Sequence, residues 1–343
     1  MAVTRNDVAR AAGVSSAVVS YVLNDGPRPV SVAARKRVLD AIEELGYRRD
    51  SVARSMRTRT TESIGFVLPD ITLSYFAVMT QHITEAARRH GLTVMVATSN
   101  GSLEEERKHL TDLAGRRVDG VILMSVDPFQ DLSWTQRFGM PVLMVDRPRA
   151  AINIAAAATS HLVEHGLERI ARVAAPAAHA MTSRRDAGWL RSLRDHDLSE
   201  DARLVAHAEV SLEGGYRAAK RLLLGDALPD GVVVDSAPQA VGFLRAAADF
   251  GVTIPGDISV IVCEFGTEGE YSVPRVSSVD SPIESIAARA VEAIRAAEPG
   301  AGLITLTDDD FVLHARESCG HASSDVGPSR RILHERQPND PLV

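Results

Sequence analysis

The side chains with chemical potential in this 343-residue chain are of the kind that bind, not the kind that react. No predicted strand is followed by Gly-x-Gly-x-x-Gly, and no Gly-rich loop ends in Lys-Ser or Lys-Thr. Asp119-Gly120 leads into a strand and Gly214-Gly215 opens a helix, so neither forms a phosphate cradle. His82, His90, His109, His161 and His165 fall on predicted helical faces without repeated ligand spacing and are expected at the surface or at helix caps. Two cysteines, Cys263 and Cys319, are too few for a disulfide framework. Asp308-Asp309-Asp310 has the composition of a solvated turn. An enzyme is disfavoured on these grounds, and no cofactor or metal is expected. By contrast, the first fifty residues carry cap-type hydroxyls at Thr4, Ser15 and Ser31, interleaved with arginine.

The formal charge of -7 taken alone argues against a nucleic-acid partner. Residues 1–60, however, carry eleven Arg and Lys against six Asp and Glu, a net of +5, which leaves -12 for the rest. A small basic head on a larger acidic body implies two units with different partners. The length predicts two or three folding units, and 45% hydrophobic with 24% charged residues is an ordinary globular composition. No stretch approaches the ~20 apolar residues of a membrane span, and Met-Ala-Val-Thr-Arg-Asn-Asp lacks an export signal. No membrane partner is expected, and the cytoplasm is the expected compartment.

The elements that position the hydroxyls are short helices. After the N-cap Thr4, Val8, Ala11 and Ala12 recur at helical spacing until Gly13. Gly13-Val14-Ser15 makes a turn, and Ser15 caps a second helix, Ser16 to Leu23, with Val18, Val19 and Val22 inward and Ser16, Ala17, Ser20 and Tyr21 outward. A third helix runs from the cap Ser31 through Val38, Ile42 and Leu45 to Gly46. The first pair is a helix-turn-helix.

Asp7-Val8-Ala9-Arg10-Ala11-Ala12-Gly13-Val14-Ser15, Val19-Ser20-Tyr21-Val22-Leu23-Asn24, Val30-Ser31 and Ala41-Ile42-Glu43-Glu44-Leu45-Gly46-Tyr47 stand in order along the head. This head closely resembles that of the lactose-repressor (LacI/GalR) family of bacterial transcription regulators. The resemblance implies that the second helix lies in the major groove of double-stranded operator DNA. It places Ser16, Ala17 and Tyr21 at base edges, and Thr4, Ser15, Ser20, Asn24 and Ser31 on phosphates. The family more often has Thr at Val18 and Arg at Tyr21. Without that Arg there is no bidentate contact to guanine, so readout rests on the Tyr hydroxyl, thymine methyls or the hinge.

Asp50-Ser51-Val52-Ala53-Arg54-Ser55-Met56-Arg57 has the length of one or two helical turns, too short to be stable alone. The resemblance implies that this hinge folds in the minor groove beside its partner-subunit copy. Ser51 and Ala53 would lie at the DNA, and Met56 would stand where the family carries a wedging Leu. Arg49-Asp50 replaces the family's Pro-Asn, and a plain basic linker is the alternative.

From Ser63 onward, apolar strands alternate with amphipathic helices, which predicts parallel, doubly wound α/β layers. Strands are expected at Ile64–Leu68, Thr93–Ala97, Val118–Leu123 and Pro141–Val145. A second series begins near His161, with strands at Ile170–Ala174, Leu204–Ala208, Gly231–Val234 and Ile258–Val262. Two lobes create a cleft, the preferred place for a small ligand. Ile64-Gly65-Phe66-Val67-Leu68-Pro69-Asp70-Ile71, Arg185-Asp186-Ala187-Gly188-Trp189, Val252-Thr253-Ile254-Pro255-Gly256-Asp257-Ile258-Ser259 and Arg316-Glu317-Ser318 resemble the family's two-lobed, periplasmic-binding-protein-like effector domain. The expected division is a helix-turn-helix head at 1–48, hinge and linker at 49–62, the effector-binding and dimerisation body at 63–318, and a polar flexible tail at 319–343.

The resemblance places effector contacts at Tyr75, Phe76, Asp146, Arg185, Ser236 and Glu264. Departures surround them. Glu264 replaces the usual Asp, Ser236-Ala237 the usual Asn-Asp, Val210 an aromatic and Leu73-Ser74 an Asn-Pro, and the stretch from Asp146 to His161 is short. Sugar recognition needs convergent donors and acceptors around each hydroxyl, so a changed or absent ligand is expected. The alternative for Asp146 and Arg185 is an ion pair across the cleft. The function implied is a homodimeric repressor of a pseudo-palindromic operator, its DNA affinity changed by an effector in the interlobe cleft. A regulator of the same fold with an altered or lost ligand response is the nearest alternative, and an α/β enzyme or a solute-binding protein the remote ones.

Overall fold

The computed structural model of the protein describes residues 3–24, 29–47, 60–146, 148–177, 181–298, 301–307 and 310–320. Tertiary contacts divide the chain into two units, residues 1–61 and 62–343.

The head holds α1 (Arg5–Ala12), α2 (Ser16–Asn24) and α3 (Val32–Leu45). Their ends follow from capping chemistry. The Asp7 carboxylate accepts from the Thr4 N–H (3.0 Å) and hydroxyl (2.6 Å), and the Ser31 hydroxyl accepts from the Ala34 N–H (3.3 Å). Gly13 stops α1 in the left-handed conformation at φ 62°, where its N–H turns back to the last carbonyls. Val8, Ala9, Ala12, Val19, Val22, Val38 and Ala41 form the core. Ala11, expected inward, is exposed, because the buried stripe of α1 runs through Ala9 one position away. The Arg37 Nε donates to the Ala12 carbonyl at 3.0 Å and ties α3 to the end of α1.

In the body, the first sheet orders its strands β10-β4-β3-β1-β2, all parallel: β1 (Ser63–Leu68), β2 (Thr93–Thr98), β3 (Val121–Leu123), β4 (Val142–Asp146) and β10 (Leu303–Thr307). Side-chain alternation sends Ile64, Phe66, Leu68, Ile122 and Leu143 to one face, under α4 (Ser74–Arg89) and α10 (Ile283–Ala296). Val67, Val121, Leu123 and Val142 go to the other face, under α5 (Leu103–Gly115). With both faces covered, the strand sequence is a continuous apolar run.

The second sheet orders β11-β9-β8-β7-β5-β6: β5 (Ile170–Ala174), β6 (Val205–His207), β7 (Gly231–Val234), β8 (Ser259–Cys263), β9 (Ser277–Asp280) and β11 (Val312–His314). It is parallel except at its β11 edge. Helices α8 (Leu212–Leu223) and α9 (Ala237–Asp249) cover one face, and α6 (Pro148–Glu164) and α7 (Thr182–Asp195) the other. No described helix is long and apolar enough to cross a membrane.

The two series of strands are not sequential halves. After β9 the chain returns to the first lobe, where α10 packs on α4 and β10 pairs with β4, and then goes back to add β11 beside β9. Strand β3 is also shorter than expected, beginning at Val121, because Arg117 turns through φ 58° just before it. Cys319, assigned to the flexible tail, is buried in the core under α6, so the fold continues past residue 318. Residues 321–343, Asp308-Asp309 and the hinge residues Ser51, Ala53 and Met56 lie outside the described residues.

Helices α6 and α7 meet at Gly188, where a Cβ would stand 2.1 Å from the Ile152 carbonyl oxygen. Backbone cannot yield as a flexible side chain does, so Gly188→Ala forces the helices apart. A loss of about 1–3 kcal/mol is expected from overpacking of this kind, read as a lower urea midpoint with an unchanged slope.

Candidate DNA-reading head and interlobe site

On α2, Val19 and Val22 are buried and Val18 is half-buried, which leaves Ala17 exposed and Ser16, Ser20 and Tyr21 half-exposed on the opposite side. The expected reading face is thus a surface the core does not use. The Ser15 hydroxyl accepts from the Val18 N–H (3.4 Å) and that of Ser31 from Ala34, so each spends its oxygen inward and keeps its proton for an outside acceptor. Both stand where a helix N-terminus already favours an anion. Thr4 differs: its N–H and its hydroxyl both donate to Asp7. Those hydrogen bonds hold the Asp7 carboxyl below its ordinary pKa and make Thr4 first of all a helix cap. The side chain of Asn24 lies outside the described residues.

In the body, the expected effector residues from both lobes come together in part. Tyr75 and Phe76 open α4 in the first lobe, edge to face at 5.3 Å. Arg185, on the first turns of α7 in the second lobe, is buried, and its guanidinium donates to the Glu264 Oε2 at 2.7 Å. Burial alone would lower its pKa, but Asp235 and Glu264, with Cys263 and Tyr75 behind them, outweigh that and raise it. Glu264 follows β8 at φ 63°, a left-handed backbone that Glu rarely adopts, and its Oε1 accepts from the Ser281 hydroxyl at 2.9 Å. The Ser236 hydroxyl donates to the Gln239 Oε1 at 2.8 Å, an internal role. The Asp146 side chain lies outside the described residues, and the partner that the structure gives Arg185 is Glu264, on its own lobe.

The sequence did not point to the charge beneath this site. Arg172, in the middle of β5, is fully buried; its Nε and Nη2 donate to both Asp235 oxygens at 2.9 and 2.8 Å, and its Nη1 donates to Asp186 beside Arg185. Asp235 also accepts from the Ala175 N–H at 3.1 Å. An arginine in an otherwise apolar strand, Ile-Ala-Arg-Val-Ala, was the available signal. Cys263 lies close by, its thiol pushed up to about 12 by burial, and so is an inert core thiol.

A helix-turn-helix head joined to a two-lobed α/β body defines a DNA-binding regulator. Residues 4–50 match the family model for bacterial regulatory proteins of the lacI family, and residues 159–319 the model for a periplasmic binding protein-like domain. The ribose operon repressor of Halalkalibacterium halodurans is 32% identical over 295 residues, covering 83% of this chain and 87% of that one. Catabolite control protein A of Priestia megaterium is 28% identical, covering 85% and 91%. Among solved structures, the Lac repressor dimer bound to operator and an anti-inducer superposes with a TM-score of 0.81 at 23% identity, over 93% of this chain and 99% of that one. A complex of the transcriptional regulator CelR with cellobiose gives 0.65 at 26%, over 92% and 99%. The chain belongs to the lacI family of bacterial regulatory proteins, and it is a DNA-binding transcription regulator.

Arg172→Ala would leave Asp235 buried without its counter-charge, at a cost of about 3–5 kcal/mol in chemical unfolding. Arg172→Met combined with Asp235→Leu removes both charges and is expected to regain most of that loss; a double variant as unstable as the single one would show that the pair is not the cause.

Proposed function

We propose that the protein is a homodimeric repressor that reads a pseudo-palindromic operator with α2 in the major groove of each half-site. What carries this reading is the division of α2: Val19 and Val22 hold the core while Ser16, Ala17, Ser20 and Tyr21 face away from it. Ser15 and Ser31 would clamp phosphates through their outward hydroxyl protons, with Ser20 and Asn24 completing the backbone contacts and Thr4 joining them only where its hydroxyl turns from Asp7. Two heads bring about +10 to the duplex, on the count of residues 1–60. A cytoplasmic location belongs to the same reading. Named relatives are repressors and control proteins, which favours regulation over catalysis.

In this reading Tyr21 makes a base contact and Met56 is the hinge wedge beside Ser51 and Ala53. After operator selection from genomic fragments, Tyr21→Ala is expected to weaken specific binding about tenfold, in the range of one lost base contact, with the slope of affinity against salt unchanged. Met56→Ala is expected to reduce DNA bending and specific affinity while sparing non-specific binding. Equal affinity and bend in the two proteins would remove the wedge role.

The interlobe site would take an effector other than a simple neutral sugar. Glu264 is already held by Arg185 and Ser281, and Ser236 by Gln239, so the polar groups that would serve sugar hydroxyls are engaged internally. The Arg185 Nε is buried without a hydrogen-bond partner among the described residues, which suits a ligand with an acceptor oxygen. In a thermal-shift panel of sugars, sugar phosphates and purines, neutral sugars are expected to leave Tm unchanged. A clear rise with one of them would overturn this assignment, and silence across the panel would favour the regulator whose ligand response is lost.

A further inference from the structure

His161, in the last turn of α6, and His165, in the turn just past its end, stand beside a buried sulfur. The rings meet edge to face with centroids 4.6 Å apart, and the His161 Nε2 lies 3.2 Å from the Cys319 Sγ. One donor atom from each of the three side chains lies within 4.8 Å of the other two. His161 and Cys319 are buried and His165 is exposed, so the cluster has a closed side and an open side. Cys319 reaches α6 from a distant part of the chain, on a 3-10 turn that is anchored when the Ser318 hydroxyl donates to the Val260 carbonyl (2.6 Å). Its thiol touches the Arg316 carbonyl at 3.3 Å.

We propose that His161, His165 and Cys319 form a binding site for a thiophilic divalent cation of the Zn2+ type. Two imidazoles and one thiolate are the donors such an ion prefers, and a tetrahedral shell around it requires donor atoms only about 3–4 Å apart, close to the present separations. The two rings are already in contact across the end of α6, so only modest side-chain rotation is needed to converge them on an ion. The exposed side at His165 gives the ion an entry path and leaves a fourth position for water. On binding, the sulfur–hydrogen bond of Cys319 breaks, its proton passes to solvent, and the thiolate pair becomes the metal–sulfur bond, with no change in oxidation state. The ion would cross-link α6, the first helix of the second lobe, to the last turn of the described body.

The test uses the full-length, untagged chain, reduced and freed of metal with a chelator, and titrated with Co2+ as a spectroscopic probe and then with Zn2+ in competition. One Co2+ per chain with a near-ultraviolet sulfur-to-cobalt band is expected, displaced by Zn2+, and lost in Cys319→Ser. His165 is exposed, so His165→Ala should fold like the parent, checked by circular dichroism and DNA binding. It is expected to weaken Co2+ binding by tenfold or more. Absence of the sulfur band in the parent, its persistence in Cys319→Ser, or unchanged affinity in His165→Ala would each overturn the site. If Cys319→Ser fails to fold, the parent spectrum and His165→Ala still decide.

Discussion

The second lobe is organised around one charge that cannot be left alone. Arg172 lies in β5, one strand in from the β6 edge of the second sheet and with no access to water, where an isolated guanidinium would be prohibitively costly. Two aspartates from different elements answer it, Asp235 at the end of β7 and Asp186 on α7. Because Asp235 takes both Nε and Nη2, the guanidinium plane is fixed in orientation as well as position. Asp186 is the neighbour of Arg185, so the same contact that neutralises the core sets the angle at which α7 delivers Arg185 to Glu264. Gly188, one turn further on, lets α7 press against the backbone of α6. Charge pairing on one side of the helix and close backbone packing on the other together locate the site.

The head rests on a different constraint. Its core is seven aliphatic side chains, none larger than valine, so its helices owe much of their definition to their ends. Capping at Thr4, Ser15 and Ser31 and left-handed glycines at 13 and 46 do that work. A cap serine gives its oxygen to the helix and retains its proton, so the groups that define the helices are also the groups suited to phosphate. Thr4 shows the limit of this economy, since Asp7 takes both of its protons.

Much of this architecture is legible in the sequence where it depends on near neighbours. The three head helices, their caps and the eight strands anticipated in the body all appear, because helical and strand periodicity and cap residues are local signals. The return of the chain to the first lobe was not legible. Nothing in Leu303-Ile304-Thr305-Leu306-Thr307 says that its partner is β4, about 160 residues earlier, rather than a neighbour in its own lobe. His161 was misplaced at the surface for a readable reason. Residues 150–162 of α6 are mostly alanine and other apolar types, and a helix that is apolar all round has no solvent face to offer a histidine. The Arg185–Glu264 pair was obscured in another way: both residues were singled out, but the left-handed turn that aims Glu264 inward, φ 63°, is not encoded by a glycine.

The same contacts connect the site to the crossings between lobes. Ser281, which holds Glu264, belongs to the segment through which the chain leaves β9 for α10 and the first lobe. The Glu264 N–H donates to the Val279 carbonyl at 2.9 Å, so backbone and side chain both tie this residue to the start of that crossing. Just along it, burial raises the pKa of Asp280 against the hydrogen bonds from Ser278 and Gly266, and the facing His314 lies on β11, the strand laid down after the last crossing. Glu264 and its partner Arg185 therefore sit beside the crossing by which the chain leaves β9 for the first lobe. Coupling through this crossing requires differential binding to two lobe arrangements, and the residues that would feel the difference are Glu264, Ser281 and Asp280. The chemistry of the site and the mechanics of the body thus share one short stretch of chain, from the end of β8 to the end of β9.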